Sequence, residues 1–428
     1  MTRTQLNAAI RAVVPKLRTQ GSKIATLLAY GYQAAAALSL LLAVAHVLNG
    51  AEYARFSLTL ATAQFAAIGA FEWVRIAATR FYPGPNLDRA PLQKASLGAG
   101  FVGSAAIGAL LCIGAALGGA PASVVLLGAA VAVGQGLTDL YLTFVRFRGD
   151  LSGFARLQCL RATAMVGFAV AGALLTGRAT GALAGIVLAH AALILIALVT
   201  DAQLRATPWL RPAPNLVRAQ LAYGVPAAGA SILSLATVLM ARYALSLIAP
   251  GAAGAGALLG FDLIQRPFAV VTTAFHALLY PPVVRAYDSG GFPAAKAPLR
   301  RLYRIELICI AALAVGLSTV LALPPVVALI APDQLAEAFG AVALPCILAF
   351  ATRAILLSLA PLALHLTRRT GLMATINLSD TGGFLILVAG LGLLNPLTIA
   401  DVLWAFLGST VLATVLTAVG SRRVAQSW

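Results

Sequence analysis

The sequence predicts an all-α polytopic membrane protein of about twelve transmembrane helices in two six-helix halves, with both termini cytoplasmic. Three observations carry this reading. Apolar residues make up 61% of the 428 and charged residues only 10%, a balance suited to lipid rather than water as the main solvent. Runs of about 20 apolar residues recur along the whole chain, each long enough to cross a hydrocarbon core of roughly 30 Å. Basic residues concentrate in alternate connections between those runs, as the positive-inside rule requires of cytoplasmic loops.

Taken in order, residues 1–23 form a basic cytoplasmic segment with Arg3, Arg11, Lys16, Arg18 and Lys23. The apolar stretch that follows, 24–48, is too long for a signal-peptide core and is expected to stay attached as the first span. Spans at 55–78, 95–118, 122–145, 157–176 and 181–204 complete an N-terminal bundle over 24–204. A cytoplasmic linker over 205–220, with Pro208, Pro212 and Pro214, leads to a second bundle over 221–420. Its spans are expected at 221–248, 256–280, 303–323, 341–364, 371–394 and 399–420, and residues 421–428 form a cytoplasmic tail. The runs are continuously apolar and lack the alternation of an outer-membrane barrel, so each must satisfy its own backbone as a helix. Leu28-Ala29-Tyr30-Gly31 and Leu221-Ala222-Tyr223-Gly224 open the two halves, which suits a two-fold repeat.

The connections set the orientation. Arg80, Arg89 and Lys94 fall between spans two and three, and Arg146, Arg148, Arg156 and Arg161 between four and five. Arg205, Arg211 and Arg218 continue the pattern, followed by the group from Arg285 to Arg304, then Arg368 and Arg369, then Arg422 and Arg423. The opposite connections are nearly bare. Both ends on the basic side require an even number of spans. The net charge of +17 is therefore mostly topology, placed beside anionic head groups, and does not indicate nucleic acid.

Motifs for covalent chemistry are absent. No Walker sequence, H-E-x-x-H, serine elbow or zinc spacing occurs, so the chain is not read as an enzyme and no cofactor or metal is expected. Cys112, Cys159, Cys309 and Cys346 fall in apolar runs and read as packing residues.

Charges inside the spans carry the functional signal, because an ionised residue at a helix centre costs about 2.5 to 3.5 kcal/mol even on lenient insertion scales. Arg55, Arg75, Arg242, Arg266 and Arg353 lie within spans or at their ends, as do Glu72, Asp139, Asp262 and Asp380, while Arg178 sits in a bare loop. Arg353 and Asp380 are nearest the midplane. Glu72 with Arg75 and Asp262 with Arg266 have the i,i+3 and i,i+4 spacing of pairs that neutralise each other on one helix face, and a packing role explains them as well as a functional one. Arg242 has no partner on its own helix, which points to a water-filled cavity that receives an anion. His190 and His276 read as packing residues, and Pro226, Pro267, Pro345 and Pro361 as kinks.

Leu48-Asn49-Gly50-Ala51-Glu52-Tyr53-Ala54-Arg55-Phe56-Ser57-Leu58, with Ala54 in place of glycine, is similar to an L-G-x-x-E-Y-G-x-Y/F-x-L region; the stretch resembles that of the polysaccharide transporter family, the Wzx-type flippases of the multidrug/oligosaccharidyl-lipid/polysaccharide (MOP) superfamily. Trp73 to Tyr82 resembles its exit from span two. Tyr223-Gly224-Val225-Pro226, Ala241-Arg242-Tyr243, Arg266-Pro267 and Tyr280-Pro281-Pro282 resemble the start of its second half, although members commonly carry Asp-Arg where this chain has Ala241-Arg242.

The resemblance implies a flippase in the bacterial inner (cytoplasmic) membrane that translocates a polyprenyl-diphosphate-linked oligosaccharide for surface polysaccharide (O-antigen, capsule or exopolysaccharide) by alternating access. Arg242, Arg266 and Arg353 are then the expected anion contacts, since a guanidinium offers a fork matched to phosphate oxygens. Asp262, Asp380, Glu72 and Arg75 are candidates for ion pairs or for coupling to a proton or sodium ion. Membrane lipids and other polysaccharide-assembly proteins are the expected partners. Two alternatives stand beside it: an ion-coupled drug or cation antiporter of the same superfamily, and a membrane-embedded polymerase or glycosyltransferase.

Overall fold

The computed structural model describes residues 25, 28–81, 90–117, 121–148, 150–367 and 370–426. The basic segment 1–23, Arg89, Arg368 and Arg369 lie outside the described residues, as does the side chain of His276. Among the described residues every regular element is a helix, which follows from the need to satisfy backbone groups within each segment in lipid. Ten helices among the described residues are long and apolar enough to cross a membrane.

The helices run α1 (Leu28–Val47), α2 (Gly50–Phe81), α3 (Ala90–Leu117), α4 (Ala122–Phe147), α5 (Leu151–Thr176), α6 (Ala179–Thr200) and the short α7 (Ala202–Arg205). Then follow α8 (Pro214–Ile248), α9 (Ala252–Leu321), α10 (Pro324–Ile330), α11 (Asp333–Ala354), a π turn over Ile355–Leu359, α12 (Leu362–Leu366), α13 (Thr370–Leu394) and α14 (Ile399–Gln426).

Boundary residues explain the ends. Asn49 accepts the Glu52 N–H at 3.0 Å to start α2, and Asp150 accepts the Gly153 N–H at 2.8 Å to start α5. Pro214 starts α8 at a position where no backbone donor is needed. Gly177 closes α5 in the left-handed region at φ 64°, its N–H on the Ala173 carbonyl at 2.7 Å.

Several expected boundaries change. Helix α2 starts at Gly50 and α8 at Pro214, so helix occupies part of the segments read as an outer loop and as the linker 205–220. The expected loop between spans at 256–280 and 303–323 is instead helical on both sides of one break. Gly290 and Gly291 leave helical geometry there, Gly291 at φ 65°. Five prolines within α9 did not end it, because each removes one donor that neighbouring structure can replace. The bare connection from Pro324 to Gly340 is also largely helical, holding α10 and the start of α11.

Two large buried clusters form the interior. One is built mainly from α1 to α6 around Tyr53, Phe56, Phe71 and Phe144, with Leu259 and Phe339 reaching in from later helices. The other lies among α8 to α14 around Phe261, Phe350, Phe384 and Phe406, whose rings meet edge-on or tilted at centroid distances of 4.7 to 6.3 Å. Helix α2 packs on both α8 and α9 and joins the two clusters. The outer surface is apolar: Leu117, Leu175 and Leu393 are more than 80% exposed, which suits contact with acyl chains.

Candidate functional site

The intramembrane charges divide into three groups. In the first, Arg353 of α11 donates to Asp380 of α13 at 2.8 Å and also to the Ser234 carbonyl of α8, with Phe406 beneath its guanidinium at 5.6 Å. Thr237, Ser409 and Thr410 surround the same carboxylate with hydroxyl donors at 2.8 to 3.4 Å. Both charges are buried and hydrogen-bonded, the condition under which an ion pair survives desolvation. The pair ties α8, α11, α13 and α14 together.

The second group corrects the expected pairing of Asp262 with Arg266. Asp262 pairs with Arg242 of α8 instead, and Ser57 of α2 donates to its other oxygen at 2.5 Å. Arg242 also reaches Gln265 at 2.8 Å and lies over the Phe261 ring, so it is not the unpartnered arginine its own helix suggested. Spacing along one helix could not reveal this, because the closing partner comes from the neighbouring helix. Nearby, Thr62 of α2 and Tyr243 of α8 share a 2.7 Å hydrogen bond.

The third group lines a cavity. About 400 Å³ of open space lies between α1, α2, α4, α5 and α8, edged by Tyr30, Gln33, Glu72, Arg75, Asp139, Arg146 and Arg161. A second space of about 260 Å³ shares Gln33, Ile68, Gln135, Asp139 and Arg161 with it, and adds Gln64, His190 and Arg266. Glu72 and Arg75 form the expected pair, a fork with one arm at 2.7 Å. Asp139 pairs across helices with Arg161.

Arg161 was expected in a cytoplasmic connection. It lies in α5, buried, because α5 begins at Leu151. Arg146 likewise belongs to the last turn of α4. Their loop-like sequence context, four arginines within sixteen residues, concealed them. The signal that could have found this wall is Gln33, Gln64 and Gln135, three amides in the interiors of otherwise apolar runs.

The balance of charge is the useful property. Arg75 and Arg161 are matched by Glu72 and Asp139. Among the described residues neither Arg146 nor Arg266 has a carboxylate partner, and the Arg266 Nε is buried without any acceptor. The cavity thus carries two uncompensated guanidiniums and several amide donors, an arrangement that attracts an anion with several oxygens. His190 reaches Thr138 at 3.2 Å from the same wall.

The family-like motif between α1 and α2 has a structural explanation. Glu52 accepts the first N–H of α6, from Ala179, at 2.7 Å and pairs with Arg55, while Tyr53 is fully buried. Gly224 lies so close to the Trp73 carbonyl that a Cβ there would overlap it. All four cysteines are free thiols.

No protein-family profile matches the sequence, and neither does any curated protein. Solved structures do. The lipid II flippase MurJ in an inward closed conformation superposes with a TM-score of 0.68 at 12% identity, over 94% of this chain and 87% of that one. The Vibrio cholerae MATE transporter VcmN gives 0.62 at 15% identity, over 95% and 96% of the two chains. A MOP superfamily transporter from Pyrococcus furiosus gives 0.59 at 13% identity, over 94% of each. The chain therefore has the fold seen in MOP-superfamily transporters.

Proposed function

We propose that the protein is a flippase of MOP type that moves a polyprenyl-diphosphate-linked oligosaccharide across the bacterial inner membrane for surface polysaccharide assembly. The observation that carries this reading is the cavity beside α1, α2, α4 and α5 with its excess of arginine over carboxylate. A diphosphate carries several anionic oxygens, and guanidinium groups in a site screened from lipid offer matching donors. The glutamines suit sugar hydroxyls, and the prenyl chain can remain in the bilayer.

In this reading α2 and the part of α9 before Gly291 add two spans to the ten. Twelve spans then place both termini on the cytoplasmic side, in two six-helix halves that rock against each other. Arg266 is the primary anion contact, joined by Arg146. Arg242 and Arg353 become packing residues, because their donors are engaged by carboxylates.

The similar structures include drug transporters as well as a flippase. Cavity chemistry favours the flippase: Glu72 and Asp139, the carboxylates that would attract a cationic drug, are neutralised by arginines. The Pyrococcus furiosus protein is itself described by a binding pocket of reverse polarity. Binding of a short-chain prenyl diphosphate sugar to the purified protein tests the assignment. Affinity should fall about tenfold or more in Arg266→Ala, the loss of one charge-assisted contact. Equal affinity in the variant, or preference for a cationic dye over the diphosphate, contradicts it.

A further inference from the structure

We propose that Glu306 is a proton-binding site, carried as a neutral acid and discharged when the joint between α11 and α12 opens. Glu306 has 0% exposure, and both of its carboxyl oxygens are buried without a hydrogen-bond partner among the described residues. Among the described residues no other carboxyl has both oxygens buried without a partner. Asp262, Asp380, Asp139 and Glu72 all sit in ion pairs, and a proton that loads onto any of them must first break its bond to arginine.

The surroundings of Glu306 suit an acid rather than an anion. The polar group beside it is the Ser358 hydroxyl, which gives its own proton to the Ala354 carbonyl at 2.6 Å. With that proton engaged, the serine oxygen can accept from a protonated carboxyl, and among the described residues no charged donor bonds Glu306. Tyr303, one turn earlier, also faces this region but gives its proton to the Leu359 carbonyl at 2.7 Å. Arg301 and Arg304 on the same helix are exposed, and so is Arg422 on α14. Arg353 of α11 is committed to Asp380 and the Ser234 carbonyl. With no cation among the described residues facing it, an ionised carboxylate here lacks compensation for lost hydration.

The element across from Glu306 is built to move. Pro361 supplies no N–H, and α11 gives way to a π turn in which the Ala360 N–H reaches back to the Ile355 carbonyl at 2.9 Å. Such turns recur at functional joints. Two side chains clasp this one from outside: Tyr303 on the Leu359 carbonyl and Ser421 on the Ala360 carbonyl, at 2.5 Å. Glu306 can lose its proton to water only if that clasp opens, and once ionised it keeps the joint hydrated and open. The exposed Arg300, Arg301 and Arg304, within two turns on the same helix, mark the side from which water reaches it. Proton release is thus linked to a change in the C-terminal helices, and this use of the site rests on the transport reading; the protonation state does not.

Infrared spectra of the full-length protein in lipid nanodiscs decide the first part. A protonated-carboxyl C=O band should persist at neutral pH, vanish on titration to alkaline pH, and be missing from Glu306→Gln. A neutral-pH spectrum with no such band, or one unchanged in the glutamine variant, overturns the site; the wild-type titration is decisive even if the variant does not fold. In vesicles with an imposed pH gradient, wild-type flipping should accelerate severalfold while Glu306→Gln flips at one rate with or without it. An unaltered gradient response in the variant overturns the coupling role. Wild-type protein that binds no lipid-linked sugar refutes the flippase assignment instead, and leaves the infrared result to decide the proton site.

Discussion

Arg242 of α8 and Asp262 of α9 form a buried ion pair, and Ser57 of α2 completes the carboxylate with a 2.5 Å hydrogen bond. Three helices thus meet at one carboxylate. The contact joins the segment that precedes α7 to the segment that follows it, close to the cavity arginines.

Removing one partner of such a pair strands the other in a medium that cannot solvate it. Asp262→Ala should lower stability by about 3 to 5 kcal/mol, read as a drop in melting temperature of the purified protein in detergent. The double replacement of Arg242 and Asp262 by apolar residues of similar size should recover most of that loss. A single variant as stable as the parent would show that the pair is dispensable for packing.

Helices α5 and α6 approach through glycines. A Cβ at Gly185 would overlap the Phe168 carbonyl, and one at Gly172 the Gly181 carbonyl, the close small-residue packing common in membranes. Gly185→Ala should therefore destabilise by about 1 to 3 kcal/mol through overpacking. Gly103→Ala, with open space at its Cβ, should change little. Equal yields and melting temperatures for the two variants would contradict the packing.

Outside the spans, Asp201 caps α7 and accepts from Arg148 at 2.6 Å. Burial opposes its ionisation, but the bonds from Arg148 and the Leu204 N–H outweigh that and hold the carboxyl below its usual range. Because the folded value is depressed, its stabilisation is present above the ordinary aspartate value near 3.9 and is lost as pH falls through the folded value. Wild type should melt higher than Asp201→Asn at pH 7, with the gap closing on acidification. A gap that widens toward low pH would reverse the sign.

The all-helical membrane class was legible because lipid imposes a single rule: apolar runs long enough to span become helices. Boundaries were less legible. Prolines at 281, 282, 293 and 298 resemble loop signals, yet α9 continues through all of them and breaks only at Gly290 and Gly291. In the site, Glu72 and Arg75 could be read as a pair because both partners lie on one helix. Arg242 with Asp262, and Asp139 with Arg161, could not, since each pairing is decided by which helices become neighbours. Glu306 was hidden for a related reason: it sits two residues from Arg304, in a sequence context that suggests a solvated loop end, and only packing buries it.

The central claim is that the basic cavity carries a lipid-linked anion between leaflets. The most direct measurement reconstitutes the purified protein into vesicles with a labelled prenyl-diphosphate oligosaccharide and follows both its leaflet and its mass. The account predicts protein-dependent movement between leaflets with the lipid's mass unchanged, reduced at least tenfold in Arg266→Ala at equal protein content. Movement that is unaffected by Arg266→Ala, or a lipid whose mass changes while its leaflet does not, would contradict it.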